Sequence, residues 1–280
     1  MLNIPFTSLE ELSHTCETFL LDQYGVLHNG QSVFNGVIEA LQNLQAAQKT
    51  VILLSNSAKR AEKNYQRMEQ LGLKREFFRG VVTSGEVGHY LFTRGLSELG
   101  LEDGSKCWVM ARDNDRSPLL GSTLKEVADP EDADVLILSG SRGEVEPWEK
   151  ATKKLEIPLS KELPCVCLNP DKWMLTPQGL AYGAGKIAEH YESAGGKVLW
   201  VGKPYEEMYR YAEREYSFEK IRTVAIGDSI EHDIQGAKKF GIAGAWVRDG
   251  ILRDASDQEI NAEILKHEAQ PDFQMNHFRW

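Results

Sequence analysis

Short apolar runs that end in a polar residue recur along this chain, and two of them end in aspartate. Phe19–Leu21 leads into Asp22, and Thr223–Ile226 leads through a glycine into Asp228, more than 200 positions later. Such runs are typical of central strands in a parallel sheet. Ligands of open α/β sheets bind beyond the carboxyl ends of the strands. The pattern therefore predicts a sheet that brings both carboxylates to one edge.

Helical and strand-like segments alternate over the first third of the chain. Val37, Leu41 and Leu44 have helical spacing, and the β-branched run Thr50–Leu54 follows. An amphipathic stretch comes next, and Val81–Ser84 predicts a third strand. The order β-α-β-α-β predicts parallel pairing with right-handed crossovers.

The middle of the chain repeats this alternation without the polar residues that suit catalysis. Its strand-like runs are Cys107–Met110, Val135–Leu138 and Cys165–Leu168. Candidate domain boundaries lie near Glu86 and at the flexible pair Gly195-Gly196. We therefore expect a core domain of residues 1–86 and 195–280, with residues 87–194 inserted as a smaller α/β domain.

The last third is predicted to resume the first domain. Its strand-like runs are Val198–Val201, Thr223–Ile226 and Ala245–Val247. The polar tail from Asp254 to Trp280 is expected to be partly helical, and no function is assigned to it.

Composition restricts the class of partner. The net charge of −10 argues against nucleic acid, because binding to a phosphate backbone requires a basic surface. The four cysteines show no CxxC spacing, so reduced thiols in the core are expected rather than a zinc or disulfide site. No apolar run reaches transmembrane length and no signal-peptide pattern begins the chain. We therefore expect a cytoplasmic protein without a membrane partner.

Four strand ends carry the groups that phosphoryl transfer through a covalent aspartate requires. Asp22 offers a carboxylate nucleophile, Ser55 offers a hydroxyl before a helix, and Lys203 offers a fixed positive charge. Asp228 offers a second carboxylate for a hard cation such as Mg²⁺, and Asp233 can orient the metal ligands from behind. Each residue alone is more simply a cap or a turn residue. Only the occurrence of all these residues together, in this order along the chain, predicts a catalytic site.

These residues resemble the motifs of the haloacid dehalogenase (HAD) superfamily, in its class IIA branch of NagD-like and phosphoglycolate or pyridoxal phosphatases. The segment Asp22–Leu27 is similar to the first motif and Ser55-Asn56 to the second. Lys203 is similar to the third motif, and Gly227-Asp228 with Asp233 to the fourth. The resemblance spans nearly the whole chain.

The resemblance implies a Rossmann-like parallel-sheet core with a class II α/β cap inserted between the second and third motifs. It also implies that Mg²⁺ is bound by Asp22, the main-chain carbonyl of Tyr24 and Asp228. Ser55, Asn56 and Lys203 would then bind phosphate. Related proteins often dimerise through the cap, so a homodimer is an open expectation.

Candidate substrate contacts follow from the same resemblance. Leu168-Asn169-Pro170-Asp171 resembles the Asn-Pro-Asp segment of class IIA caps, which points to Asn169 and Asp171. Asp171 could face the leaving group, or it could equally cap a turn after Pro170.

Tyr24 is a departure from the family pattern. Phosphatases of this superfamily carry a second aspartate at this position, which protonates the leaving group and later activates water. A phenol, with an ordinary pKa of about 10, is a poor general base but can donate a hydrogen bond. His28 lies a few residues on, and imidazole suits proton transfer near neutral pH, although a lone histidine in a turn is more often structural.

Two functions of different class fit these residues. One is a Mg²⁺-dependent hydrolase of a small phosphorylated metabolite, such as a sugar phosphate, that acts through an aspartyl-phosphate. The other is a catalytically impaired phosphometabolite-binding or regulatory protein, which Tyr24 favours. A nucleotide-binding oxidoreductase is disfavoured, because no GxGxxG follows the first strand.

Overall fold

A computed structural model describes residues 4–176 and 179–280. Its strands are β1 (Thr18–Leu21), β2 (Thr50–Ser55), β3 (Gly80–Thr83), β4 (Lys106–Met110), β5 (Lys125–Glu126), β6 (Val135–Leu138), β7 (Cys165–Cys167), β8 (Trp173–Thr176), β9 (Gly179–Tyr182), β10 (Val198–Trp200), β11 (Thr223–Gly227), β12 (Ala243–Val247) and β13 (Phe273–Met275). Its α-helices are α1 (Leu9–Thr15), α2 (Val37–Ala46), α3 (Ala61–Gln70), α4 (Ser84–Arg94), α5 (Trp148–Lys153), α6 (Glu156–Ser160), α7 (Ala184–Ser193), α8 (Glu206–Tyr216), α9 (Gln235–Phe240) and α10 (Asp257–His267). A π-helical turn, Ile230–Ile234, precedes α9.

The first sheet has six strands in the order β13-β12-β11-β1-β2-β3. The central strand β1 pairs in parallel with β11 on one side and β2 on the other, with Leu21 opposite Ile226 and Leu53. All four residues of β1 are buried, as the apolar run requires. Because β1 and β11 are parallel neighbours in register, the residues after them emerge at the same edge.

The second sheet has five parallel strands in the order β10-β7-β6-β4-β5. Its central strands are short apolar runs, and their side chains pack with α5 and α7. Members of this core are Leu136, Leu138, Ala151, Cys165, Cys167, Ile187 and Tyr191. Strands β8 and β9 form a separate antiparallel hairpin. Two parallel sheets with intervening helices confirm the predicted α/β fold class.

The chain forms two compact units. One contains the chain up to Ser55, Glu62–Val82 and Lys203–Trp280. The other contains Asn56–Ala61 and Thr83–Gly202. We call them the six-stranded and five-stranded units. The boundaries near Glu86 and Gly195, and the division into a catalytic core and a cap, remain predictions.

Strand β10 does not lie in the sheet expected from the sequence. The run Val198–Val201 was predicted to belong to the first domain, but β10 pairs with β7 of the five-stranded sheet, with Val198 opposite Cys165. That strand prediction is wrong in its partner, because an apolar run reports burial and not which strand it pairs with. The end of β3 also differs from the predicted strand Val81–Ser84. In the structure β3 ends at Thr83 and Ser84 begins α4, where the Thr83 hydroxyl accepts a hydrogen bond from the Glu86 amide.

The helix ends follow local sequence rules. Ser8 and Ser256 begin α1 and α10 with reciprocal capping boxes, which satisfy amides that lack an intrahelical partner. After α3, Gly72 takes a φ of +91°, as expected for a glycine that ends a helix. In the part of the chain that the structure describes, no helix has both the length and the apolar character to span a bilayer.

Candidate active site

Three carboxylates meet beyond the carboxyl ends of β1 and β11. Asp22 follows β1, and its amide donates to the carbonyl of Ile226 at 2.9 Å. Asp228 follows β11, and Asp233 lies in the π-helical turn. Each of the three aspartates offers a carboxylate oxygen, and these atoms lie within 4.8 Å of one another. Parallel pairing of β1 and β11 thus brings Asp22 together with two aspartates that lie more than 200 positions later in the chain.

Lys203 joins two of these carboxylates. Its Nζ donates to Asp22 Oδ1 at 2.6 Å and to Asp233 Oδ1 at 2.7 Å, and its side chain is only 5% exposed. Burial alone would lower the pKa of Lys203, but the charges of Asp22 and Asp233 outweigh it and raise the pKa above its usual value. The lysine is therefore a fixed cation beside the predicted nucleophile.

The π-helical turn orients Asp233. The Ser229 amide donates to Asp233 Oδ2 at 3.1 Å, while the Ser229 hydroxyl accepts the amide of His232, also at 3.1 Å. Turns of this kind are rare and occur frequently at functional sites. Asp233 is thereby held from one side by a backbone amide and from the other by Lys203.

Asp228 is held by groups that no strand-end pattern in the sequence marks. The Ile251 amide donates to Asp228 Oδ2 at 2.8 Å, and the indole of Trp246 donates to the Asp228 carbonyl at 3.0 Å. Two glycines pack against the carboxylate: a Cβ would lie 1.9 Å from Asp228 Oδ2 at Gly25, and 2.2 Å from Asp228 Cβ at Gly250. The only local signal for Gly250 is the turn-forming Asp-Gly pair after β12.

The charges of the cluster fit a bound divalent cation. Burial raises the pKa of Asp228 to about 8, and the charges of Asp22 and Asp233 act in the same direction. Burial also raises the pKa of Asp22, although Lys203 opposes this shift. Three carboxylates face one ammonium, so negative charge is in excess. Hard oxygen donors in this number suit Mg²⁺.

Tyr24 and His28 lie together after β1, but their exposures differ sharply. The Tyr24 side chain is 53% exposed, whereas His28 is 6% exposed, and the rings meet edge to face with centroids 6.1 Å apart. His28 Nδ1 accepts the Gly30 amide at 3.0 Å, which assigns the ring proton to Nε2. Burial lowers the pKa of His28. Its buried Nε2 has no hydrogen-bond partner among the described residues.

The remaining predicted site residues are divided between the units. Ser55 ends β2 in the six-stranded unit. Asn56, Asn169 and Asp171 form one hydrogen-bonded group in the five-stranded unit. Asn56 Nδ2 donates to Asp171 Oδ1 at 2.8 Å, and the Asp171 amide donates to Asn169 Oδ1 at 3.0 Å. Asp171 is therefore hydrogen-bonded to Asn56, the residue directly after the predicted phosphate-binding Ser55.

Comparison of the chain with models of known protein families shows which family it belongs to. A model of the haloacid dehalogenase-like hydrolases matches residues 19–125, and a second HAD-hydrolase-like model matches residues 200–279. The chain belongs to the haloacid dehalogenase superfamily of hydrolases. The superfamily recognised from the sequence motifs, with its class IIA branch, is thereby confirmed, as is the prediction of a hydrolase.

Individual relatives match this HAD-family chain over most of its length. Mouse chronophin is 27% identical over 252 residues, which cover 87% of this chain and 85% of chronophin. A haloacid dehalogenase-like hydrolase from Brucella suis superposes with a TM-score of 0.82 at 26% identity, covering 98% of this chain and 99% of that one. A glycerol phosphate phosphatase from Mycobacterium tuberculosis, solved with magnesium, shares the fold with a TM-score of 0.74 at 20% identity, covering 98% and 77%.

Proposed function

We propose that this protein is a Mg²⁺-dependent phosphatase of a small phosphorylated metabolite that acts through an aspartyl-phosphate. The observation that carries the proposal is the buried contact of Lys203 with Asp22, 2.6 Å long, beside Asp228 and Asp233. A carboxylate nucleophile, a fixed cation and a cation-binding acidic pair are the groups that phosphoryl transfer needs. The magnesium in the mycobacterial phosphatase of the same fold supports the choice of metal.

The metal would be held by Asp22, Asp228 and the main-chain carbonyl of Tyr24, and when bound it would neutralise charge that develops on the phosphoryl group. Lys203 fixes Asp22 Oδ1 by a hydrogen bond, which leaves the other carboxylate oxygen of Asp22 to attack phosphorus. The bond from phosphorus to the substrate oxygen breaks, and the leaving alkoxide takes a proton from water. Water then hydrolyses the aspartyl-phosphate.

Phosphate oxygens and the leaving group require further contacts. We assign the phosphate contacts to Ser55 and Asn56, and substrate selection to the five-stranded unit through Asn169 and Asp171. Tyr24 stands where a carboxylic acid would protonate the leaving group, so that proton has to come from solvent. The Nε2–H of His28 is a buried donor with no hydrogen-bond partner in the described part of the chain. Burial lowers the pKa of His28, so the ring offers a hydrogen bond more readily than a proton.

The covalent mechanism is tested by Asp22→Asn. With Mg²⁺ and a panel of phosphorylated metabolites, we expect kcat to fall at least about 10⁴-fold, because the amide is not a nucleophile. Asp254→Asn, in a side chain that is 90% exposed, is the matched control and keeps wild-type turnover. Equal activity in the wild-type protein and Asp22→Asn would exclude Asp22 as the nucleophile.

A binding or regulatory role is the second candidate, and Tyr24 is the observation that favours it. General acid–base help is worth roughly 10²–10⁴-fold, so its loss could leave a protein that binds phosphate without useful turnover. In that case no metabolite in the panel is hydrolysed, but Mg²⁺ or inorganic phosphate still raises the melting temperature, because each binds only the folded state.

A further inference from the structure

Hydrolysis of an aspartyl-phosphate requires a water molecule that gives up a proton as it attacks phosphorus. A general base beside that water speeds such a step by roughly 10²–10⁴-fold. The side chains of the six-stranded unit that could exchange a proton near Asp22 are Tyr24, His28, Lys203, Tyr209, Asp228 and Asp233. The state of these groups therefore sets the lifetime of a phosphoryl group on Asp22.

The two other carboxylates of the cluster are buried and already hydrogen-bonded. Asp233 accepts from Lys203 Nζ at 2.7 Å and from the Ser229 amide at 3.1 Å. Asp228 accepts from the Ile251 amide at 2.8 Å, and it is also assigned to the metal. Both side chains are at least 95% buried. Neither carboxylate is therefore exposed to the solvent from which an attacking water comes.

The nitrogen groups offer no lone pair to a water molecule. Lys203 Nζ donates to Asp22 Oδ1 at 2.6 Å as well as to Asp233, which is the contact of an ammonium with two carboxylates. The Nδ1 lone pair of the buried His28 accepts the Gly30 amide at 3.0 Å, so the ring proton is on Nε2. In this tautomer His28 can donate a hydrogen bond through Nε2, but it cannot act as a base.

Tyr24 is the exposed member of this group, at 53%. Its chain neighbour Gly25 packs on the cluster, since a Cβ there would lie 1.9 Å from Asp228 Oδ2. The Tyr24 ring meets His28 edge to face and packs over Gly30, where a Cβ would lie 3.3 Å from Tyr24 Cε2. A phenol keeps its proton near neutral pH, so it donates a hydrogen bond to water and does not take a proton from it.

The first step, transfer of the phosphoryl group to Asp22, makes a demand that depends on the leaving group. An alkyl phosphate releases an alkoxide, which needs a proton, whereas an acyl phosphate releases a carboxylate, which is stable without one at neutral pH. An acyl phosphate and an aspartyl-phosphate are also the same kind of mixed anhydride, so transfer between them exchanges like bonds. The cluster therefore suits uptake of a phosphoryl group from an acyl phosphate better than the hydrolysis that follows.

We propose that this protein takes its phosphoryl group from an acyl phosphate and retains it on Asp22, so that the phosphorylated protein accumulates during turnover. A carboxylate oxygen of Asp22 attacks phosphorus, the bond from phosphorus to the acyl oxygen breaks, and the donor's carboxylate leaves with the electron pair and no proton. Water then attacks phosphorus slowly and gives its proton to solvent. The inference rests on the proposed phosphatase function, which it narrows to one chemical class. A long-lived phosphorylated state would also serve a regulatory role.

Incubation with acetyl phosphate and Mg²⁺, followed by acid quenching and intact-mass spectrometry, tests the inference. We expect wild-type protein to gain the mass of one phosphoryl group, which peptide mapping places on Asp22, and Asp22→Asn to gain none. Once acetyl phosphate is removed by desalting, Tyr24→Asp should lose the phosphoryl group at least about 10²-fold faster than wild-type protein, because its carboxylate takes the proton of water. Tyr24→Asn is the matched control, since it removes the phenol without supplying a base and should keep the slow loss.

Hydrolysis of acetyl phosphate without a trapped phosphoryl group overturns the inference and leaves the phosphatase proposal intact, because the second step is then fast. Equal rates of loss in wild-type protein, Tyr24→Asp and Tyr24→Asn also overturn it. If acetyl phosphate neither labels the protein nor is hydrolysed, acyl phosphates are not substrates and the inference fails, while the metabolite panel tests the phosphatase proposal separately. Equal labelling of wild-type protein and Asp22→Asn contradicts both proposals.

Discussion

The two units use lysine in opposite ways. In the six-stranded unit, the Lys203 side chain is 5% exposed and touches two aspartates at 2.6 and 2.7 Å. In the five-stranded unit, the Lys59 side chain is 49% exposed and lies 3.9 Å from Asp113. Burial makes the first arrangement rigid, because each charge depends on its partners once water is removed. The ion pair of Lys59 with Asp113 remains solvated, so substitution of Lys59 should change the stability of the protein little.

This difference suggests a division of labour. A reaction centre needs charges at fixed positions, and the buried cluster around Asp22 supplies them. In the five-stranded unit, polar side chains such as Arg112 and Ser139 are only half-buried, and groups of this kind can change without unfolding the protein. Substitutions in the two units should therefore differ in which property of the protein they change, as well as in the size of the effect.

Apart from loss of the nucleophile itself, the largest expected effect is a gain in the six-stranded unit. Tyr24→Asp restores a carboxylic acid at the predicted acid–base position, and kcat for an alkyl phosphate at pH 7 should rise roughly 10²–10⁴-fold. The tyrosine is 53% exposed, so the substitution should cost little stability. Tyr24→Asn is the matched control, because it removes the phenol without supplying an acid. An equal gain in Tyr24→Asn would show that access, and not proton transfer, limits the wild-type protein.

Substitution of the two lysines tests the comparison directly. Lys203→Met leaves Asp22 and Asp233 without their cation, so we expect the free energy of unfolding to fall by about 3–5 kcal/mol. Turnover should fall about 10²–10³-fold, as when one transition-state contact is removed. Lys59→Met should change stability by less than about 1 kcal/mol, because its ion pair is exposed. Chemical denaturation measures both, and equal losses would contradict the contrast between the units.

A smaller effect is expected from a methyl group placed against Asp228. Gly250→Ala puts a Cβ 2.2 Å from Asp228 Cβ, so the carboxylate must shift. We expect Mg²⁺ affinity to fall about 10–100-fold, as for other residues that orient metal ligands. Gly244→Ala is the control, since its Cβ would meet its nearest neighbour at an ordinary 3.4 Å. Isothermal titration of Mg²⁺ distinguishes them, and equal affinities in both variants would remove the positioning role of Gly250.

The smallest expected effect is a pH dependence of stability in metal-free protein. The pKa of Asp228 is about 8 in the folded state, against an ordinary value of 3.8. Between about pH 4 and pH 8 the folded state therefore binds more protons at this site than the unfolded state, so stability decreases as the pH rises. Thermal melts from pH 5 to pH 8 should show this decline, while Asp228→Asn and added Mg²⁺ should each reduce it. The same slope in wild-type protein and Asp228→Asn would assign it to other groups.

Most residues of the charged cluster could be predicted from the sequence. Asp22, Lys203, Asp228 and Asp233 follow from polar residues placed at or near the ends of apolar runs, and parallel strands end at one edge. The groups that contact Asp228 could not be predicted in the same way. Trp246 contacts Asp228 from within β12. Gly250 and Ile251 contact it from the loop that follows, and only a turn-forming pair marks that loop.

By itself, the sequence determined that this chain is an α/β protein with buried parallel strands and a cluster of acidic residues, because apolar runs and helical spacing encode burial locally. Only the tertiary structure decided that β10 joins the five-stranded sheet and that the three-residue strand β13, with Gln274 at its centre, extends the six-stranded one. It alone brought together the loops after β4 and β6, where a Cβ on Gly140 would lie 2.6 Å from the Arg112 amide nitrogen. Strand partners and close contacts depend on residues far apart in the chain, and no local pattern records them.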